Sequence, residues 1–202
     1  MNILEYENYQ EKISHGNPLF PYITYLCSIP LDFSYVPIHW HDEMEIIYIK
    51  KGHGIITVDF TQYQVSAGTL ALIIPGQLHS IEQYKNESME YENIIFSLDL
   101  LCTGSMDALS SEFFEPFLAG TIGFEHLVCC DDEHYPALSS CLNHIDSISS
   151  SFPKGYRLAI KGALFTFFYT IFTNSTDIPA PKNDPHIERL KSCLLYTSDA
   201  AD

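Results

Sequence analysis

The chain contains two segments that decide its fold, HWHDEMEIIYIKKG at residues 39–52 and GTLALIIPGQLH at residues 68–79. Both carry apolar, β-branched runs and glycine turn signals, which is typical of strands and the turns that join them. Successive side chains of a strand point to opposite faces, so residues two or four apart share a face. If both segments belong to a barrel, one inward face receives four polar side chains, namely His39, His41, Glu45 and His79.

These four side chains have more than one chemical interpretation. Three imidazoles and one carboxylate are a suitable ligand set for a divalent metal such as Zn, Ni, Mn or Fe. They could equally form the polar floor of a small-molecule pocket. A third interpretation makes His39 and His79 hydrogen-bonded structural residues at the barrel mouth.

The composition excludes several classes of protein. The 202 residues are 46% hydrophobic and 18% charged, so we expect an ordinary folded chain of one or two domains. No apolar run is long enough to span a bilayer, and the acidic N-terminus has no secretory signal, so we expect a cytoplasmic protein. The net charge of −16 would repel nucleic acid, and we therefore expect no DNA binding by this chain alone.

The first half of the chain reads as short strands separated by turns. Residues 31–37 are interpreted as a connector, and residues 51–54 as the turn of a hairpin that joins residues 43–50 to residues 55–60. The other predicted strands are Tyr22–Ile29 and residues 63–65, 69–74, 80–84 and 89–98. This spacing predicts an antiparallel barrel or sandwich.

The second half reads as helices. Helical apolar spacing occurs at residues 107–118 and 135–150, and is strongest at residues 156–172. The last of these helices is apolar on nearly all sides, because Leu158, Phe165 and Tyr169 lie off its main stripe. A helix of this kind must be covered on most sides, so we expect it to pack inside the protein and also to form a homodimer interface.

Several chemistry-bearing residues are expected to have no functional role. The six cysteines show no metal or redox spacing and are predicted to be reduced and mostly buried. His53 is expected to be exposed in a turn, and the isolated histidines of the helical half are expected at the surface. The tyrosines of the strands are expected to be packing residues. The isolated histidines are His126, His134 and His144, and the strand tyrosines are Tyr25, Tyr48 and Tyr63.

The end of the chain differs from the rest. Residues 174–185 have the composition of a linker, and HIERLKS at residues 186–192 begins a new helical pattern. Residues 193–202, CLLYTSDAAD, resemble the in-frame translation of a sequencing adapter, so we expect a non-native tail after a truncated gene.

The 39–79 region resembles the two sequence motifs of cupin barrels. His39, His41, Glu45 and Gly52 match H-x-H-x3-E-x6-G, although Phe33 stands where a leading glycine is usual. In the second motif, G-x5-P-x-G-x2-H-x3-N, the proline is displaced by one position to Pro75 and Gln83 replaces the asparagine. The matching residues are Gly68, Gly76 and His79. Within the cupins, the sequence of this region is similar to that of the sensor domains of AraC-type transcription regulators.

The resemblance implies an α+β fold, with an antiparallel cupin-like β-barrel (a double-stranded β-helix) followed by a helical subdomain. It implies an effector-binding barrel at residues 1–104, a helical linker and dimerisation segment at 105–175, and the start of a truncated DNA-binding domain at 176–192. The chain would then be the effector-sensing half of a non-catalytic regulator. It would bind a small polar metabolite such as a sugar through His39, His41, Glu45 and His79, directly or through a metal. The alternative is a metal-dependent cupin enzyme, an isomerase or dioxygenase acting on a small polar substrate.

Overall fold

The central strand of the protein, β3, is fifteen residues long and belongs to two sheets. The computed structural model describes residues 7–13, 15–102 and 108–175. The strands in this part of the chain are β1 Tyr22–Ile29, β2 Tyr35–His39, β3 Met44–Val58, β4 Thr61–Ser66, β5 Leu70–Ile73, β6 His79–Gln83, β7 Met89–Phe96 and β8 Leu127–Val128. The first half of β3 pairs with β5 and β7, and its second half pairs with β4 and β6.

All strand pairs are antiparallel, and β3 connects two layers into a barrel. One layer has the order β1-β7-β3-β5-β8, while β2, β6, β3 and β4 form the other. The interior is filled by apolar side chains from both layers, which are Ile29, Ile47, Ile49, Ile56, Val58, Val65, Ala71, Ile73, Ile81, Met89 and Tyr91. The alternation of β3 therefore places its odd-numbered residues, from Glu45 to Ile49, toward the barrel interior.

The helical part covers the outer face of the first layer. It contains a short 3-10 helix at Leu98–Leu100, a π-helical turn at Ser110–Phe114, and the helices α1 Glu115–Leu118, α2 Tyr135–Ser149 and α3 Tyr156–Asn174. Even-numbered residues of β3, such as Ile46 and Tyr48, lie in one apolar cluster with α2 and α3. The barrel wall and the helices therefore share a core, and the predicted α+β fold is confirmed.

Helix α3 follows the predicted apolar stripe over most of its length. The side chains of Ile160, Ala163, Leu164, Phe167 and Phe168 are buried, and Ile171 and Phe172 are partly buried against the same cluster. Off the stripe, Leu158 is 79% exposed and Tyr169 is 68% exposed. One side of α3 is thus apolar and open in the single chain.

The predicted hairpin at residues 43–60 is wrong. The chain does not turn at residues 51–54, because β3 continues through them. The register of β3 with β7 shifts between Ile49 and Lys51, and Gly52 takes a positive φ of 77° without ending the strand. The reversal comes later, at Asp59 and Phe60, whose positive φ values of 45° and 70° suit a tight two-residue turn. The connector predicted at residues 31–37 is also partly wrong, because β2 begins at Tyr35.

The other predicted strands and helices agree with the structure to within a few residues. The apolar segment 69–74 contains β5, and all four of its residues are buried, as predicted for a strand covered on both faces. The cysteines are a further correction, because none of the five described thiols is fully buried and Cys129 and Cys130 are exposed. Residues 176–202, with the predicted truncated DNA-binding helix and the adapter-like tail, lie outside the described part of the chain.

Candidate functional site

The four predicted site residues come from separate elements and meet at one end of the barrel. His39 ends β2, His41 precedes β3, Glu45 is the second residue of β3, and His79 begins β6. The idea that His39, His41 and Glu45 share one strand is therefore wrong, but their side chains still converge. The imidazole centroids of His39 and His79 are 4.1 Å apart, and those of His41 and His79 are 5.1 Å apart. His41, Glu45 and His79 are buried, and His39 is half-buried.

Each imidazole is held by its Nδ1 atom against a backbone carbonyl. The Nδ1 atoms of His39 and His79 donate to the carbonyl oxygens of Pro37 and Gln77, both at 2.9 Å, and that of His41 to the carbonyl of Glu43 at 3.2 Å. A carbonyl oxygen can only accept a hydrogen bond, so each Nδ1 must carry the proton. The Nε2 atoms are therefore the ring nitrogens that can bind a ligand, a metal or a second proton.

Glu45 lies between two of these Nε2 atoms. Its Oε2 is 3.2 Å from His41 Nε2 and 2.9 Å from His79 Nε2. Burial alone would raise the pKa of the Glu45 carboxyl, but the two imidazoles outweigh burial and hold that pKa well below its usual range. The carboxylate is therefore ionised at neutral pH.

The histidines respond to the same environment in different directions. Burial would lower the pKa of His41, but its hydrogen bond and charge interaction with Glu45 raise the pKa above the ordinary value. Burial and the neighbouring His79 lower the pKa of His39. A buried carboxylate that faces lone pairs needs a positive charge beside it, and a proton on His41 or a metal ion can supply that charge.

The residues present fit a divalent metal. One nitrogen from each of His39, His41 and His79 lies within 4.8 Å of the others, and this is the one such ligand cluster within the described ranges. His79 Nε2 has no hydrogen bond of good geometry, although Glu45 is close and the ring is fully buried. Glu45 lies beside this three-histidine set and is not part of it. The set of three imidazoles suits Zn, Ni or Fe, and the nearby carboxylate also suits Mn.

Two residues at the site gave no signal in the sequence. Glu11 Oε2 is 3.0 Å from His15 Nε2 and 3.9 Å from His39 Nε2, and the His15 ring contacts that of His41. They reach the site because the segment before β1 pairs with Trp40, between the two motif histidines. A long-range backbone pairing of this kind leaves no local sequence pattern.

Four other histidines of the described ranges lie outside this cluster. His53 is exposed, as predicted, and pairs with Glu87 at 2.8 Å, although it lies within β3 and not in a turn. His126 is half-buried and not at the surface, because its carbonyl accepts from Leu72 N while its ring packs on Phe124. His134 is half-buried as well, whereas His144 is exposed as predicted.

The strand tyrosines are not at the floor of the site. Tyr48 faces the helices, where its hydroxyl lies 3.3 Å from that of Tyr135, and Tyr63 packs against the barrel interior. Tyr25 contacts His15 and is therefore at the edge of the site. Two clefts of about 170 and 570 Å³ lie against α3, and neither is lined by the site histidines.

The barrel, its motif residues and the helices that cover one layer define a cupin-type ligand-binding domain. Residues 20–167 match the family described as the AraC-like ligand binding domain, and the chain belongs to that family. The chain is 25% identical over 116 residues to the uncharacterized HTH-type transcriptional regulator YdeC of Bacillus subtilis. That alignment covers 57% of this chain and 39% of the relative, so the chain spans well under half of the relative's length.

Solved structures with a similar course of the chain include ToxT from Vibrio cholerae and a cupin protein from Bacteroides fragilis. ToxT is 14% identical, with 88% of this chain and 65% of that chain covered and a TM-score of 0.48. The cupin protein is 23% identical, with 44% and 71% covered and a TM-score of 0.36. Among the described residues, no helix has the length and apolar character needed to cross a membrane.

Proposed function

We propose that this chain is the effector-sensing and dimerisation part of an AraC-type transcription regulator of the cytoplasm, acting by binding and not by catalysis. The observation that carries the proposal is the buried histidine–glutamate cluster at the barrel end, in a chain of the AraC-like ligand-binding family. The relative in Bacillus subtilis supports it, because it is named as an HTH-type regulator and extends well beyond the matched part. DNA contacts would belong to a C-terminal part, since a net charge of −16 repels phosphates.

The effector in this proposal is a small polar metabolite, for example a sugar. His39, His41, Glu45 and His79 contact it directly or through a divalent metal held by the three imidazoles. Such a metal would supply a Lewis-acid centre for a hydroxyl or carbonyl oxygen of the effector. The residues themselves orient the effector, since each imidazole is fixed through Nδ1 and presents Nε2.

Binding at this site can reach the helices through β3 itself. Glu45 faces the site, and the next residue, Ile46, packs against the helical part. Further along β3, Lys50 Nζ lies 2.8 Å from Asp146 of α2 and 2.8 Å from Glu92 of β7. A small shift of β3 on binding would therefore change the position of α2 and shift the population of helix arrangements.

The open side of α3 is the proposed dimer interface. Leu158 and Tyr169 are exposed there, and Gly162 between them would allow close approach, because no atom lies within 4 Å of a side chain added at that position. In the full regulator, the two copies would set the spacing of two DNA-binding parts, which decides operator binding. We assign effector binding to residues 1–104, dimerisation to residues 105–175, and the connection to the DNA-binding part to residues 176–192. Residues 193–202 are assigned no role.

A thermal-shift screen against a metabolite panel, with and without Zn²⁺ or Ni²⁺, tests the proposal. An effector at one hundred times its Kd stabilises the folded state by about 2.7 kcal/mol, which corresponds to roughly 5–10 °C in a chain of this size. His41→Ala should abolish the shift, and His53→Ala, which removes an exposed histidine, should leave it unchanged. The sensor proposal fails if no metabolite shifts the wild-type protein, or if a bound sugar is isomerised or oxidised at a rate that His41→Ala removes.

A further inference from the structure

The segment before β1 forms a wall of the ligand site. Glu11 N donates to the carbonyl of Trp40 at 2.9 Å, and Trp40 N donates to the carbonyl of Tyr9 at 3.0 Å. Trp40 stands between His39 and His41, so these two bonds fix the segment beside both imidazoles. The family match begins at residue 20, so this segment lies outside the matched residues.

Two side chains of this segment face the site and support each other. Glu11 Oε2 lies 3.0 Å from His15 Nε2, and His15 Nδ1 lies 3.4 Å from the Tyr25 hydroxyl. The His15 side chain is only 6% exposed. The same Glu11 oxygen lies 3.9 Å from His39 Nε2, which is too far for a hydrogen bond between them. A hydroxyl or ammonium group of a ligand bound at His39 could also reach Glu11.

The charges around the histidines are all of one sign. Glu11, Glu43 and Glu45 each have an oxygen within 4 Å of a nitrogen of His39, His41 or His79, the Glu43 distance to His41 being 3.6 Å. In the part of the chain that the structure describes, none of the three carboxylates pairs with a lysine or arginine. The three negative charges still outnumber the positive charges when one imidazole is protonated or when a divalent ion is bound.

We propose that Glu11, held in place by His15, is a specificity-determining residue of this site. It excludes carboxylate and phosphate groups by repulsion, and it accepts a hydrogen bond from a hydroxyl or ammonium group bound at His39. The unsatisfied Nε2 of the fully buried His79 marks the same space as a ligand position. This inference rests on the proposed ligand site and adds the class of ligand, one rich in proton donors and free of negative charge.

Calorimetric titration with Co²⁺ as the probe tests the charge of the wall. Removal of one charge about 4 Å from a divalent ion in a water-like medium should weaken Co²⁺ binding by about thirtyfold in Glu11→Gln. His15→Ala should weaken it in the same direction, because Glu11 loses the donor that fixes it. Glu87→Gln removes an exposed carboxylate that pairs with His53 and should change nothing. Equal Co²⁺ affinity in the wild type and Glu11→Gln overturns the proposal, as does a wild type that binds no Co²⁺.

Oxalate binding to the Co²⁺-loaded protein, followed by visible absorption, tests the exclusion of anions. Glu11→Gln should bind oxalate at least about fivefold more tightly than the wild type, since a single oxalate charge about 4 Å from Glu11 accounts for that factor, and Glu87→Gln should match the wild type. Equal oxalate affinity in all three overturns the exclusion. This failure is distinguishable from failure of the sensor proposal, because the metabolite shift and its loss in His41→Ala do not depend on Glu11.

Discussion

Gly52 lies where β3 ends its pairing with β7, just before it pairs with β6, and its replacement by alanine tests how closely β3 and β7 approach each other. The glycine has a φ of 77°, and a Cβ atom at this position would overlap the carbonyl oxygen of Ser88 and lie 2.9 Å from its carbonyl carbon. The same carbonyl accepts a hydrogen bond from His53 N. Because these are backbone atoms of the residue just before β7, they cannot rotate away as a side chain could.

Two effects add in Gly52→Ala. A left-handed conformation disfavours alanine by about 1–2 kcal/mol. Relief of the overlap with β7 adds about 1–3 kcal/mol, the usual range for overpacking. We therefore expect a loss of about 2–5 kcal/mol in the free energy of unfolding, or about 1–2.5 M in the urea midpoint for a slope of about 2 kcal/mol/M.

Gly155 provides a matched control for this prediction. It also has a positive φ, 86°, but a Cβ atom there would meet nothing within 4 Å. Gly155→Ala should therefore lose only the conformational part, about 1–2 kcal/mol. Urea unfolding followed by circular dichroism measures both variants. If the two alanine variants lose the same stability within about 0.5 kcal/mol, the close approach of β3 and β7 is not the reason why position 52 requires glycine.

Three further predictions concern the contacts between the barrel, the helices and a second copy. Burial and the nearby Asp146 raise the pKa of Glu92 to about 7, so its contribution to stability is present at pH 4 and is lost as the pH rises through 7. The melting temperature should therefore fall more steeply from pH 5 to 8 in the wild type than in Glu92→Gln, and parallel curves would contradict this. Leu158→Glu should make a dimer monomeric by light scattering while Leu31→Glu, at another exposed leucine, should not; a dimer that survives Leu158→Glu is formed elsewhere. Phe168→Ala should destabilise the chain by about 3–5 kcal/mol in urea, since the ring is buried against Phe96 of β7; a loss below about 1 kcal/mol would show that barrel and helices do not share a core.

The parts of the fold that repeat with a regular period could be predicted from the sequence. The stripe of α3 and the apolar segment of β5 follow directly from spacing, because burial on one face or on both leaves a local pattern. Gly52 and Gly54 predicted a turn that does not occur, since a glycine with a positive φ can also lie within a continuous strand. The true turn at Asp59 and Phe60 carries no glycine and could not be recognised locally.

The candidate site could also be predicted only in part from the sequence. The spacing of His39, His41 and Glu45 and the second motif with His79 predicted the residues that meet, although not the separate elements that carry them. Glu11 and His15 could not be found, because their position depends on a bridge between residues 10 and 40. The Glu11 carboxylate nevertheless lies 3.9 Å from His39 Nε2, and our specificity proposal rests on that distance.

Proton positions on the site imidazoles test the central claim, that three fixed histidines present Nε2 to a common ligand position beside Glu45. Long-range ¹⁵N–¹H correlation spectra of the metal-free protein report which ring nitrogen of each histidine carries a proton. We predict protonated Nδ1 atoms on His39, His41 and His79, and changes on addition of Zn²⁺ that are confined to their Nε2 resonances. An unprotonated Nδ1 on any of the three, or a Zn²⁺ response at Nδ1, would contradict this account of the site.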